Sequence, residues 1–147
     1  MDKYLIINCD DFGMCHAANT AVFDLLEHGG VTSATVMTPC GWAPEALKYA
    51  AAHPEFAIGI HLTFTSEWQK YKWRPVWGGN TASLRDESGF MHFHCDTFER
   101  DAKEEEVEAE MRAQLALARF YGHNPSHMDN HMGSLYGIET GRSFLPI

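Results

Sequence analysis

Two adjacent carboxylates follow the first apolar run of the chain, in the stretch IINCDDFG. Like charges as close as those of Asp10 and Asp11 repel one another unless a positive group lies between them. A bound metal cation would supply that positive charge. Alternatively, the pair caps the helix that follows, because carboxylates accept hydrogen bonds from the first backbone N–H groups of a helix. Taken alone, the pair is compatible with either role.

A second group of candidate ligands has regular spacing, in the stretch SHMDNHMG. His127, Asp129 and His131 are two residues apart, and alternate residues of an extended segment point to the same side. We therefore expect these three side chains to share one face. Two imidazoles and a carboxylate on one face are typical of a metal site, in which the carboxylate often orients an imidazole instead of binding the ion itself.

His61, in the stretch GIHLTF, is the third candidate. A single histidine in an apolar run can equally be a hydrogen-bonded core residue. Combined with one aspartate of the pair, however, it gives two imidazoles and one carboxylate with open coordination positions, and a divalent cation in such a set lowers the pKa of a bound water towards neutrality. The other aspartate can then accept a proton. Spacing alone does not assign these two roles, and His92 and His94 are predicted to be surface residues.

The order of apolar runs predicts the elements that position these residues. We predict strands over 4–9, 32–37 and 56–62, an extended segment starting at 125–131, and helices over 17–28, 43–52 and 101–121. Strands that alternate with helices are typical of an α/β fold with parallel strands. Sites in such folds lie outside the carboxyl ends of the strands, where all three candidate groups are expected. Residues 63–99 show no period, and a loop of that length is usually functional or mobile.

The overall composition excludes several classes of protein. The chain has 147 residues, 45% of them apolar, which is enough for one domain with a core. A net charge of −9 argues against nucleic-acid binding, because phosphate backbones are bound by clustered basic residues. The apolar run 4–9 is too short to cross a membrane, and four scattered cysteines without a CxxC pair are typical of reduced thiols. We expect a cytoplasmic protein with no membrane partner.

The three motifs in series resemble those of the YdjC-like family of carbohydrate deacetylases, which includes chitooligosaccharide deacetylase. The resemblance rests on NCDDFG, GIHLTF and SHMDNH, in that order. It implies a (β/α) barrel-like fold and a metal-dependent hydrolase that removes acetyl groups from N-acetylated amino sugars or chitooligosaccharides. Because a full barrel takes about 250 residues, we expect 1–147 to be a single, incomplete YdjC-like domain, the amino-terminal portion of the barrel.

The resemblance also implies roles for individual residues. Asp11, His61 and His127 match the positions of metal ligands, and Asp10 matches the general base. Asp129 and His131 are then nearby site residues. The resemblance implies Mg²⁺ as the cation, and the imidazoles would also suit Zn²⁺.

The stretch SEWQKYKWRPVW is rich in aromatic residues. Trp68, Tyr71 and Trp73 are predicted to contact a sugar ring, and the neighbouring lysines and arginine could bind an acidic or phosphorylated sugar. The alternative is that these rings pack against the barrel mouth or another subunit, as large apolar groups do at interfaces.

Two other functions fit the same residues. One is a barrel metallohydrolase that acts on a phosphoester or an amide, and the other is a non-catalytic sugar-binding fragment with a structural metal. An incomplete parallel sheet would also expose an edge, which predicts that a homodimer can form.

Overall fold

A computed structural model describes residues 2–147 of the chain. Its centre is a four-stranded sheet in which each strand pairs in parallel with the next along the chain. The strands are β1 (Asn8–Phe12), β2 (Ser33–Val36), β3 (Ala57–Leu62) and β4 (Met128–Asn130). The predicted α/β class with parallel strands is confirmed.

Helices connect the strands and cover the sheet. They are α1 (His16–Glu27), α2 (Ala43–Ala52), α3 (Cys95–Asp101) and α4 (Glu104–Phe120), with 3₁₀ turns at Ala82–Leu84 and His131–Gly133. The predicted bounds of α2 are confirmed, and proline near its first residue suits the start of a helix. Helix α3 lies partly within the stretch predicted to be irregular. The core between sheet and helices includes Phe12, Leu47, Ile58, Ile60 and Val107, all fully buried.

The prediction of a buried first strand over 4–9 is wrong at its beginning. Strand β1 starts at Asn8, and the side chains of Tyr4, Leu5 and Ile6 are 91%, 75% and 79% exposed. The reason is the position of β1 at an edge of the sheet. Its described neighbour, β2, begins at Ser33, which pairs with Asn8, so the preceding apolar residues extend beyond the strand that would cover them.

Buried carboxylates of α4 hold the long segment between β3 and the later helices. The backbone N–H groups of Val76 and Trp77 donate to Glu110 at 2.9 and 2.8 Å, and Gln114 Nε2 donates to the same carboxylate at 2.8 Å. Burial raises the pKa of Glu110, while those hydrogen bonds oppose the rise. Glu106 likewise accepts from the backbone N–H of Ser83. The segment is therefore fixed to α4 although it has little regular structure.

All four cysteines are free thiols, as predicted. No helix within residues 2–147 combines the length and apolar character needed to cross a lipid bilayer.

Candidate metal centre

Three predicted site residues meet at the carboxyl end of the sheet. Asp11 lies near the end of β1, His61 near the end of β3, and His131 directly after β4. Asp11 Oδ1 is 3.5 Å from His61 Nε2 and 3.2 Å from His131 Nδ1. The side chains of both histidines are almost fully buried, and that of Asp11 is 41% exposed. The three residues thus form a pocket of two imidazoles and one carboxylate that is open on the Asp11 side.

An irregularity in β1 brings both aspartates of the pair to this site. Neighbouring residues of a regular strand point to opposite faces. Here the register of β1 against β2 shifts between Cys9 and Phe12, and Asp11 has a φ of 59°, in the left-handed region that non-glycine residues rarely adopt. As a result, Asp10 can also offer a carboxylate oxygen beside His61 and Asp129, in a second group next to the first.

Asp129 holds His61 from the neighbouring strand. The register of β3 and β4 places the two residues opposite one another, and His61 Nδ1 lies 2.5 Å from Asp129 Oδ1. Thr35 donates its hydroxyl to the other carboxylate oxygen at 2.9 Å. Since an ionised carboxylate only accepts hydrogen bonds, Nδ1 of His61 carries a proton and Nε2 faces Asp11.

His131 lies between two carboxylates. Its Nδ1 faces Asp11, and its Nε2 lies 3.2 and 3.1 Å from the two carboxylate oxygens of Glu67. Burial would lower the pKa of His131, but the hydrogen bonds to both carboxylates outweigh it and raise that pKa to about 9. The same bond to His131 is the main reason why the pKa of Asp11 falls below its usual value.

The structure does not bring His127 to the three clustered residues, contrary to the ligand set that the resemblance implied. His127 precedes β4, and because Asp129 is level with His61, His127 lies two residues (~7 Å) further down the strand. Its Nδ1 is 2.8 Å from Ser126 Oγ. His131 occupies the position predicted for His127, because the chain turns after Asn130 into the 3₁₀ turn, where Met132 has a φ of 56°.

Only some of the aromatic side chains in the stretch SEWQKYKWRPVW are exposed to solvent. Trp73 is 3% exposed and packs with Met37, Cys40 and Met91 in a small second core, which for this residue favours the packing alternative over contact with a sugar. The hydroxyl of Tyr71 donates to the backbone carbonyl of Met14 at 2.8 Å. Tyr71 therefore joins loops near the site, while Trp68 remains half exposed.

Sequence reasoning missed Glu67 and Thr35. Glu67 lies in the long aperiodic segment, and no spacing relates it to a histidine 64 positions later. Thr35 lies in β2, whose other polar residue is Ser33, and its hydroxyl donates to Asp129. The predicted buried strand 32–37 carries three hydroxyls, those of Thr32, Ser33 and Thr35. A buried polar group needs a hydrogen-bond partner, but the sequence does not indicate which of the three hydroxyls faces the site.

The three donor atoms fit a divalent cation. Metal–nitrogen and metal–oxygen bonds of about 2.0–2.2 Å place neighbouring donors roughly 3.0–3.5 Å apart. The separations from Asp11 Oδ1 to the two imidazole nitrogens, 3.5 and 3.2 Å, lie in that range. Two imidazoles and one carboxylate are also a donor set that divalent cations prefer.

A cavity of about 550 Å³ borders the cluster through Glu67 and Met132, whereas Asp11, His61 and His131 do not line it. Its lining combines one aromatic ring, one histidine and several carboxylates, and it includes Glu67, Phe93, His94, Asp96 and Glu139. A cavity of this size can hold a small ligand next to Glu67, the hydrogen-bond partner of His131.

Known proteins match both the sequence and the fold. The family of YdjC-like proteins matches residues 4–140. A carbohydrate deacetylase of Thermus thermophilus is 37% identical over 144 residues, which are 97% of this chain and 49% of that protein. A chitooligosaccharide deacetylase of Serratia marcescens is 30% identical over 136 residues, which are 89% of this chain and 50% of that protein.

The fold of this chain is similar to that of a protein whose crystal structure has been solved. That protein is from Enterococcus faecalis V583, cleavage of cellobiose phosphate has been suggested for it, and its structure matches with a TM-score of 0.77 at 33% identity. The match covers 91% of this chain and 50% of that one, so the chain spans about half the length of the relatives it matches. With its three motifs, its parallel sheet and a family match over most of its length, the chain belongs to the YdjC-like family.

Proposed function

We propose that the chain carries the metal-binding half of a carbohydrate deacetylase that removes acetyl groups from N-acetylated amino sugars or chitooligosaccharides. The observation that carries this proposal is the convergence of Asp11, His61 and His131 within 4.8 Å of one another. The names of the Thermus and Serratia relatives support the substrate class.

Asp11, His61 and His131 would hold the divalent cation. When bound, the cation polarises the acetyl carbonyl and makes a water molecule more acidic. Two imidazoles favour Zn²⁺, whereas carboxylates favour Mg²⁺, so the mixed donor set is compatible with either. The buried imidazoles supply fixed donors, and the partly exposed side of Asp11 leaves room for a water and a substrate oxygen.

Asp10 would accept the proton of the attacking water. Its carboxylate is exposed to solvent and receives a hydrogen bond from Asn8 Nδ2 at 2.7 Å. It also reaches the second group beside His61 and Asp129, next to the proposed cation position. A general base must lie within reach of the proton that it removes. Asp11, Asp129 and Glu67 each pair with a histidine, whereas within residues 2–147 Asp10 forms no ion pair with one.

The charge of the cavity favours a neutral or amino sugar over a phosphorylated one. Glu67, Asp96 and Glu139 all line it, and carboxylates repel phosphate. Of the three basic residues of the aromatic segment, Lys72 and Arg74 have other partners, although the Lys72 ammonium also lies 5.2 Å from the ring centroid of Phe93, which lines the cavity. Lys72 lies 3.7 Å from Asp86, and the guanidinium of Arg74 stacks over the ring of Phe90. Phe93 and the half-exposed Trp68 offer aromatic faces that suit sugar rings.

The test is acetate release. The purified chain is incubated with N,N′-diacetylchitobiose and Mg²⁺ or Zn²⁺, with a chelator as control and a sugar phosphate as competing substrate. We expect cation-dependent release of acetate and no release of phosphate. Cation-loaded protein that binds the sugar but releases no acetate would instead support a sugar-binding fragment, and phosphate release would support a phosphoesterase.

A further inference from the structure

We propose that Glu67 is a positioning residue, which fixes the tautomer and orientation of His131 so that Nδ1 faces the cation position. This inference rests on the metal site of the proposed function. It assigns a role to a residue of the long segment between β3 and α3, which has no regular structure around Glu67.

The contacts of His131 carry the inference. Both carboxylate oxygens of Glu67 lie within 3.2 Å of His131 Nε2, on the side of the ring opposite to the Nδ1 that faces Asp11. A carboxylate on one ring nitrogen keeps the proton there and leaves the lone pair of the other nitrogen for a metal ion. The arrangement parallels that of His61, whose Nδ1 is held by Asp129 while its Nε2 faces Asp11. Opposite nitrogens of the two rings thus converge on Asp11.

Glu67 itself is held by buried neighbours. The indole Nε1 of Trp73 donates to the carbonyl of Thr65 at 2.8 Å, and the backbone N–H of Trp73 donates to Ser66 Oγ at 3.1 Å. Thr65 and Ser66 are fully buried. The ring of Trp73 also lies edge-on to that of His131, with 6.2 Å between centroids. Because Trp73 fixes the two residues before Glu67, the carboxylate reaches His131 from a rigid backbone.

Glu67 acts through His131 and not as a ligand of the cation. The atoms that converge belong to Asp11, His61 and His131, and Glu67 contacts the nitrogen of His131 that faces away from them. Loss of Glu67 should therefore weaken cation binding without removing a donor atom.

Cation affinity separates this role from a general effect of charge. Zn²⁺ binding is measured by titration calorimetry in the intact chain and in Glu67→Ala, Glu67→Gln and Glu139→Ala. Removal of a group that orients a histidine ligand typically costs ~10–100-fold in affinity, which we expect for Glu67→Ala. Glu67→Gln keeps an oxygen that can accept from Nε2–H and should recover most of that loss. Glu139→Ala removes a carboxylate from the same cavity without contacting His131, and should change affinity by less than about threefold.

Nitrogen NMR of ¹⁵N-histidine protein loaded with Zn²⁺ provides a readout that a merely structural role would not move. We expect His131 to bind through Nδ1 and to carry its proton on Nε2. Binding through Nε2, unchanged affinity in both Glu67 variants, or an equal loss in Glu139→Ala would overturn the inference and leave the metal site intact. If Glu67→Ala fails to fold, Glu67→Gln and the NMR signature decide. If the unaltered chain binds no cation, the proposed function and this inference both fail.

Discussion

The most direct prediction compares two histidines of one motif. Replacing His131 with alanine should remove a cation donor, whereas replacing His127 should not. His131 Nδ1 lies 3.2 Å from Asp11 Oδ1 and is almost fully buried. His127 is two residues below Asp129 on its strand, an offset of ~7 Å, or more than three times a metal–nitrogen bond of about 2.1 Å.

The magnitude follows from the number of donors. Loss of a group that only orients a ligand costs ~10–100-fold in affinity, so loss of one of three donors should cost at least ~100-fold, equivalent to about 2.7 kcal/mol. His127→Ala should stay within about threefold of the unaltered chain, because its imidazole contacts Ser126 and no carboxylate of the site.

Equilibrium dialysis with Zn²⁺ and metal analysis by mass spectrometry would measure both affinities. Co²⁺ absorption would report the coordination directly, and thermal unfolding would show that each variant is folded. The reasoning is refuted if a folded His131→Ala variant retains the cation, or if His127→Ala loses it. Either result would mean that the chain after β4 adopts another register when a cation binds.

Other substitutions test the packing and the chemistry around the site. A Cβ at Gly59 would lie 2.6 Å from the carbonyl of His127, so Gly59→Ala should lower the free energy of unfolding in urea by about 1–3 kcal/mol. Trp73→Ala should lower it by about 3–5 kcal/mol, because the side chain is buried. Asp10→Asn should slow acetate release by ~10²-fold or more while calorimetry shows retained cation affinity. Burial lowers the pKa of His123 below 6.5, so its neutral form stabilises the fold above pH 6.5 and that stability is lost as the pH falls through the lowered pKa. The loss should be smaller in His123→Gln when unfolding is compared across this range.

The local sequence pattern is sufficient to predict most helices and strands, and to predict which end of the sheet carries the candidate site. The bounds of α2 follow from a proline at its start and the proline that follows it. Sites form at the carboxyl ends of parallel strands, which predicts that Asp11 and His61 lie close together. In the structure Asp11 Oδ1 is 3.5 Å from His61 Nε2. The bounds of α2 depend only on residues close in sequence, and the location of the site depends only on the strand topology of parallel α/β proteins.

Long-range register was not accessible from the sequence. The spacing of two predicts that His127 and His131 share a face, but not which of them is level with His61. That depends on the pairing of His61 with Asp129 across 68 positions. Likewise, both aspartates reach one site only because β1 shifts its register between Cys9 and Phe12. The residue types in NCDDF do not predict such a shift.

The two histidines of the site, His61 and His131, are held in place by different parts of the structure. Asp129 supports His61 from an adjacent strand of the same sheet, so the backbone hydrogen bonds between β3 and β4 fix the position of His61. Glu67 supports His131 from a segment without regular structure, which in turn depends on the buried indole of Trp73. Changes in Glu67 or Trp73 should therefore alter cation binding through His131 and leave the support of His61 by Asp129 intact. Within the aromatic stretch, the buried indole of Trp73 therefore contributes to the rigidity of the candidate metal site, whereas Trp68 keeps a half-exposed face.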